Sequence, residues 1–341
     1  MQSKILIGAV LVLSSFLWAQ QPAANWVNIS NPTLQQLTDA GKKIGWPGKE
    51  TAGVAVDPKN GDVYMIVPDQ GIWKSSDRGA TFTRSDKGEI GGRCETGYSI
   101  NVDPAGGGRL ACFMLDGKCA MTLDGGKTWQ PFKGVGRNWD FAAVDWSQAE
   151  PKAIYAARHE AGGEMYTSND GGKSWKQIER ATKEPEYKAV GVFDETTLVT
   201  SKGEGILRST DFGTTWEKVS DLQPTGRVMK IYKNVAYWIV KDGLIISTDK
   251  GKTWKRHGGT VDAGWGPFFS DDEKHFMLCG RKGFIETKDG GETWAIVAPL
   301  PPVKEFDDRR PGWWVNFAWD PKGDVFYASR MGFPTFKLQR Q

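Results

Sequence analysis

The chain has 341 residues, with 44 basic against 41 acidic side chains and a formal net charge of +3. That balance argues against a dedicated nucleic-acid binder, and a composition 39% hydrophobic and 25% charged belongs to a folded chain rather than a disordered one. Four cysteines exclude a disulfide-stapled miniprotein, which leaves the 42 glycines and 16 tryptophans as the departure to be explained.

The first element in chain order is an address. Met1 to Lys4 is a short basic start, Ile5 to Trp18 is an uncharged apolar run, and Ala19 offers a small residue for cleavage. This is the three-part pattern of a secretory signal peptide, and the run is short of the ~20 residues of a membrane-spanning helix. Residues 1–19 are therefore expected to be removed, leaving no membrane anchor. Residues 20–341 are expected to form one domain, secreted or periplasmic.

The remainder is a repeat. Ser75-Ser-Asp77-Arg-Gly79-Ala-Thr81-Phe82 returns as Thr122-Leu-Asp124-Gly-Gly126-Lys-Thr128-Trp129 and as Ser168-Asn-Asp170-Gly-Gly172-Lys-Ser174-Trp175. It returns again at Ser209–Trp216, Ser247–Trp254 and Thr287–Trp294, with successive aspartates 38 to 47 positions apart. The template is Ser/Thr-x-Asp-x-Gly-x-Thr/Ser-Trp/Phe. An aspartate in a tight turn accepts backbone N–H bonds, the glycine supplies a left-handed residue, the hydroxyl braces the turn, and the indole is a large surface to bury between sheets. The unit reads as a hairpin staple rather than as chemistry.

These six copies resemble the Asp box of the bacterial neuraminidase repeat family, and the resemblance covers nearly all of residues 20–341. The family includes sialidases, xyloglucan-degrading hydrolases, sortilin-type receptors and a photosynthetic assembly factor, all β-propellers. The resemblance implies an all-β propeller of four-stranded antiparallel blades. The flanks agree. An apolar strand ending in aspartate (Val54–Asp57, Ile100–Asp103, Ala142–Asp145, Phe317–Asp320) precedes a second strand such as Asp62–Val67, then a glycine-led third such as Gly71–Lys74. We call these A, B and C, with D after the box.

Six boxes give six blades. After the sixth, Phe317–Tyr327 repeats the A-to-B pattern of Val54–Tyr64, and Gly332–Lys337 reads as a strand C without a D. Asn25-Trp26-Val-Asn-Ile29 reads like the strand that follows a box, so the expectation is seven blades, with the N-terminal strand closing the last and removing exposed sheet edges. A six-bladed ring with a C-terminal extension is the alternative.

In such a ring strand A lines the channel. The D-to-A and B-to-C loops share an upper face, and the A-to-B turns and boxes share the lower one. The upper loops hold the candidate site. Glu95, Asp140 and His159 are the acid/base candidates, since a carboxylate pair is what glycoside hydrolysis usually needs, and Glu50 is a further carboxylate. Arg93, Arg137, Arg158, Arg281, Arg309 and Arg310 offer forks for an anionic substrate, while Trp139 and Trp313, with Trp46 and Trp265, offer rings to stack on sugars. Arg227 and Lys230 also fall among these loop residues.

The family's Arg-Ile-Pro signature is missing, so sialidase activity is not expected. Xyloglucan hydrolases typically face two propellers, whereas this length holds one. No metal or cofactor is expected, because Cys94, Cys112, Cys119 and Cys279 lack zinc spacing and there are only 3 histidines. One disulfide among Cys94, Cys112 and Cys119 suits an oxidising compartment. The leading functional reading is a carbohydrate-active protein, glycoside hydrolase-like or lyase-like, acting on an anionic or plant-type glycan at the upper mouth of the channel. The alternative is a non-catalytic glycan-binding or protein-binding scaffold. Expected partners are thus a glycan, an anionic polysaccharide or a protein, with no nucleic acid, and the chain is expected to be a monomer.

Overall fold

The computed structural model describes residues 24–48, 50–134, 138–161, 164–178, 189–201, 203–306 and 315–340. Seven four-stranded antiparallel sheets follow one another along the chain, each meandering from an inner strand A to an outer strand D. The inner strands are Gly53–Val56, Ile100–Val102, Trp139–Val144, Ala189–Val192, Lys230–Tyr232, Trp265–Phe269 and Val315–Asp320. Blades 1 to 6 are contiguous. Blade 7 takes strands A to C from the C-terminal segment and its outer strand, Val27–Asn28, from the other end, pairing Val27 with Lys337 and Asn28 with Phe336. The ring is seven-bladed and closed in the expected way. The helix Asn31–Asp39, which packs Leu34 and Leu37 onto blade 1, was not foreseen.

The repeated turns work as staples. In the first, the Ser75 hydroxyl donates to Asp77 Oδ1 (2.6 Å) and accepts from the Gly79 N–H (2.7 Å). The Thr81 N–H and hydroxyl donate to the two Asp77 oxygens at 2.9 and 2.5 Å. The Thr122, Ser168, Ser209, Ser247 and Thr287 turns repeat this pattern. Gly126 needs to be glycine twice over: its φ is +86°, and a Cβ there would lie 2.0 Å from Ser85 Oγ of the preceding blade. The Thr215 amide and then the Thr215 and Ser209 hydroxyls draw the Asp211 carboxyl down to about 2. The indoles that end the turns sit between sheets, as where Trp175 packs on Trp139 (5.2 Å) and Phe132 (5.7 Å).

The lower face is stitched from blade to blade by the aspartates that end strand A. Asp57 accepts from the Gly107 and Gly108 amides of blade 2, and Asp320 of blade 7 pairs with Arg78 of blade 1 (2.7 Å). Cys94, Cys112, Cys119 and Cys279 are buried free thiols, which corrects the expectation of a disulfide. Cys94 Sγ fills the space over Gly53 of blade 1, while Cys119 Sγ accepts from the Met114 N–H inside its own hairpin (3.1 Å).

Candidate functional site

The upper mouth of the channel is closed. Tyr98, from the loop entering blade 2, reaches across the axis and donates its hydroxyl to the Gly264 carbonyl of blade 6 (2.9 Å). The neighbouring Gly97 backs so closely onto blades 6 and 7 that a Cβ would meet the Val315 carbonyl at 2.2 Å and Trp265 Nε1 at 3.3 Å. Trp265 in turn packs edge-on against Phe317 (4.9 Å). Among the described residues, Tyr98 and Gly97 thus span the axis at the upper mouth.

The upper-face residues form a line of contacts along the rim from blade 7 to blade 3. Pro47 lies over Gly332 of blade 7, and Trp46 beside it is 63% exposed. The Arg93 guanidinium lies 4.4 Å from the centre of the Trp46 ring, a cation–π distance. Arg93 also pairs with Asp116 (2.6 Å) and approaches Glu95 (3.6 Å). The Asp116 N–H donates to Asn138 Oδ1 (3.1 Å), and the Asn138 carbonyl accepts from the His159 N–H (2.8 Å). His159 Nδ1 then meets Asp140 Oδ1 at 2.6 Å. A carboxylate only accepts, so Nδ1 carries the proton and Nε2 faces outward, with Glu160 Oε1 3.8 Å away. Asp116, Asn138 and Glu160 all hold positive φ (58°, 90° and 47°), so backbone strain collects along this line.

The arrangement sorts the candidates. His159 and Asp140 are brought together, and the Asp140 carbonyl is fixed by the Thr96 and Ser99 hydroxyls of the loop before it (2.7 and 3.2 Å). Glu95 is 6% exposed beneath Arg93 and away from any open cleft. Trp139 is not a surface for sugars: it begins strand A of blade 3, is 2% exposed, and its ring is packed by Trp175 and by Tyr166 (5.6 Å). Its position next to a loop had suggested otherwise, but the strand starts three residues earlier than the Ala142–Asp145 pattern indicated. Arg158 pairs within its own hairpin with Glu164 (3.2 Å). Arg281 is exposed at the B-to-C turn of blade 6, on the other side of the ring from His159. Arg137, Arg309, Arg310 and Trp313 lie outside the described residues, as does the segment 1–19.

Burial shapes two further side chains, and one of them differs from its expected place. The Glu50 carboxyl is pushed up by burial. Lys230 belongs to an inner strand and lines the channel, not an upper loop; burial lowers its ammonium to about 8, with the Asp103 charge opposing. Among the described residues, no group of three or more His, Cys, Asp or Glu side chains could hold a metal ion. Among the same residues, no helix is long and apolar enough to cross a membrane.

The comparisons agree with this architecture. The model of the DUF6242 beta propeller domain matches residues 149–267. No curated protein matches the sequence. Among solved structures, the extracellular domain of BT4673 from B. thetaiotaomicron is similar with a TM-score of 0.52 at 9% identity, over 88% of this chain and 39% of that one. An ancestral GH74 enzyme gives 0.48 at 14% identity, over 84% and 44%, and YCF48 from Cyanidioschyzon merolae gives 0.46 at 15%, over 87% and 98%. The chain spans less than half the length of the GH74 and BT4673 chains. Seven four-stranded sheets in one closed ring, with the match to a beta propeller domain, make the chain a seven-bladed β-propeller.

Proposed function

We propose that the chain is an extracytoplasmic recognition propeller of the Asp-box type, non-catalytic, whose upper rim holds a saccharide against the Trp46 indole. One observation carries this reading. Trp46 is the large aromatic left open on the upper rim among the described residues, and Arg93 braces it. A flat, supported indole is suited to the apolar face of a pyranose ring, and the adjacent Asp116 and Asn138 supply polar groups for hydroxyls. The catalytic alternative asks for two carboxyl groups on either side of a cleft. Here Asp140 is engaged by His159, Glu95 lies under Arg93, and Tyr98 reaches across the axis to Gly264.

A second reading, a glycoside hydrolase-like or lyase-like enzyme, draws support from the His159–Asp140 pair, whose outward Nε2 has the form of a general base, and from the raised Glu50 carboxyl. One experiment separates the two. Binding to a glycan array and release of reducing ends are measured for wild type, Trp46→Ala and Asp140→Asn. Recognition without product, weakened about tenfold in Trp46→Ala and unchanged in Asp140→Asn, is expected. Product release that disappears in Asp140→Asn would establish the enzyme instead. Binding that survives Trp46→Ala at full strength would remove the rim from consideration.

A further inference from the structure

Below the Tyr98 closure the axis of the ring is hollow. One cavity of about 80 Å³ is lined by Trp265, Phe268, Phe269, Phe317 and Trp319 together with Lys230. A second of about 320 Å³ extends from it among the A-to-B turns of the lower face, where Ala105, Ser147 and Asn234 form its edge. The two share Asp103, Pro104 and Lys230. A ligand would thus enter from below, on the opposite side of the ring from the Trp46 rim, and would meet Lys230 where the polar approach gives way to the aromatic chamber.

Lys230 carries its ammonium at the junction of the two cavities. Asp103, the acidic group that faces it, is committed elsewhere: Arg109 Nη1 is 2.8 Å from one oxygen and the Ala105 N–H donates to the other at 2.8 Å. Among the described residues, Asp103 acts on the Lys230 ammonium through its charge rather than through a hydrogen bond. A buried or half-buried ammonium without a counter-charge is costly, and such groups in proteins are ordinarily paired. Among the described residues lining the two cavities, Asp103 is the one carboxylate, and the chamber beside it is a surplus of aromatic faces.

We infer that the channel is a binding site for a small aryl carboxylate, its ring held among Trp265, Phe269, Phe317 and Trp319 and its carboxylate paired with Lys230. An apolar ring fills the chamber, and the carboxylate supplies the charge that Asp103 does not. The site is separate from the rim and does not depend on the saccharide reading.

The test uses phenylacetate as probe and phenylacetamide as its uncharged counterpart, with affinities measured by calorimetry on the full-length protein. Phenylacetate is expected to bind at least tenfold more tightly than phenylacetamide. Lys230→Met should lower phenylacetate affinity to that of the amide, and Lys230→Arg should retain most of it. Affinity in the wild type should also fall as pH rises past about 8, as the amine loses its proton. The other titratable groups facing the cavities are Asp103, Arg109, Tyr98, Tyr232 and the mouth residue Lys233. Burial raises both tyrosines, out of that range. Should Lys230→Met fail to fold, the amide comparison and the pH profile still decide. Equal binding of acid and amide, binding insensitive to Lys230→Met, or no binding of either compound would overturn the assignment. Inorganic phosphate binding in place of phenylacetate would overturn its aryl part.

Discussion

The C-terminal end of blade 7 is clasped to blade 6 by one carboxylate, and its removal gives a quantitative test. Glu286 lies on strand C of blade 6 and is 7% exposed. Both Arg340 terminal nitrogens donate to it, at 2.8 and 3.0 Å, His275 Nε2 is 2.9 Å away, and Lys288 Nζ is 3.6 Å away. Burial works against ionisation, but the Arg340 and then the His275 hydrogen bonds outweigh it and draw the carboxyl from 4.5 to about 2. A displacement of that size corresponds to roughly 3 kcal/mol at most, and the partial exposure of Arg340 and Lys288 reduces it to about 1–2 kcal/mol. Because the folded value is the depressed one, this stability is present above the unfolded value of about 4.5 and is lost as pH falls towards 2. Glu286→Gln should therefore destabilise the protein by about 1–2 kcal/mol near neutrality, and the difference should vanish near pH 2. Urea unfolding followed by tryptophan fluorescence, wild type against variant at each pH, measures it. The reasoning fails if the difference is the same at both ends of the range, or if none exists at neutral pH.

Two other outcomes follow from packing. Trp139→Ala should cost about 3–5 kcal/mol in the same unfolding assay, because it empties space between Trp175 and Tyr166 at a buried site; a loss below about 1 kcal/mol would mean the indole is open after all. Cys94, Cys112, Cys119 and Cys279 should be silent to a thiol reagent in the native protein and react together on unfolding. Each is buried, and burial pushes the Cys119 thiol up to about 12.

The fold was legible because its punctuation is chemical. Asp77, Gly79 and Thr81 and their five counterparts each do one fixed job in a turn, so the spacing of the turns reads out the blades. Trp26 to Ile29 could be matched to the missing outer strand for the same reason, since Trp26 keeps the role of a box tryptophan and packs on Phe284 (6.3 Å). The helix Asn31–Asp39 has no counterpart in the repeat and carried no comparable signal. The site was less legible. Glu95, Trp139 and Lys230 all lie beside glycine-rich turns, where a shift of one or two residues decides between rim, core and channel. The pattern of residue types places them near the upper face; only the register of strand A sends Lys230 inward and buries Trp139. The meeting of His159 with Asp140 depends on a strand pairing, Trp139 opposite Arg158, that no local motif announces.

The pairing of Val27–Asn28 with Phe336–Gln339 also sets a timetable. The strand that completes blade 7 precedes the six internal blades in the chain and its partner follows them, so the ring has no closed form until all six lie between the two. The six internal blades can each form as soon as their own four strands exist, since every pairing within them is local. The seventh must wait, and until then strand C of blade 7 keeps an unpaired edge available to other chains. Closure therefore hides one specific edge at one specific event, the meeting of Val27–Asn28 with its partner strand.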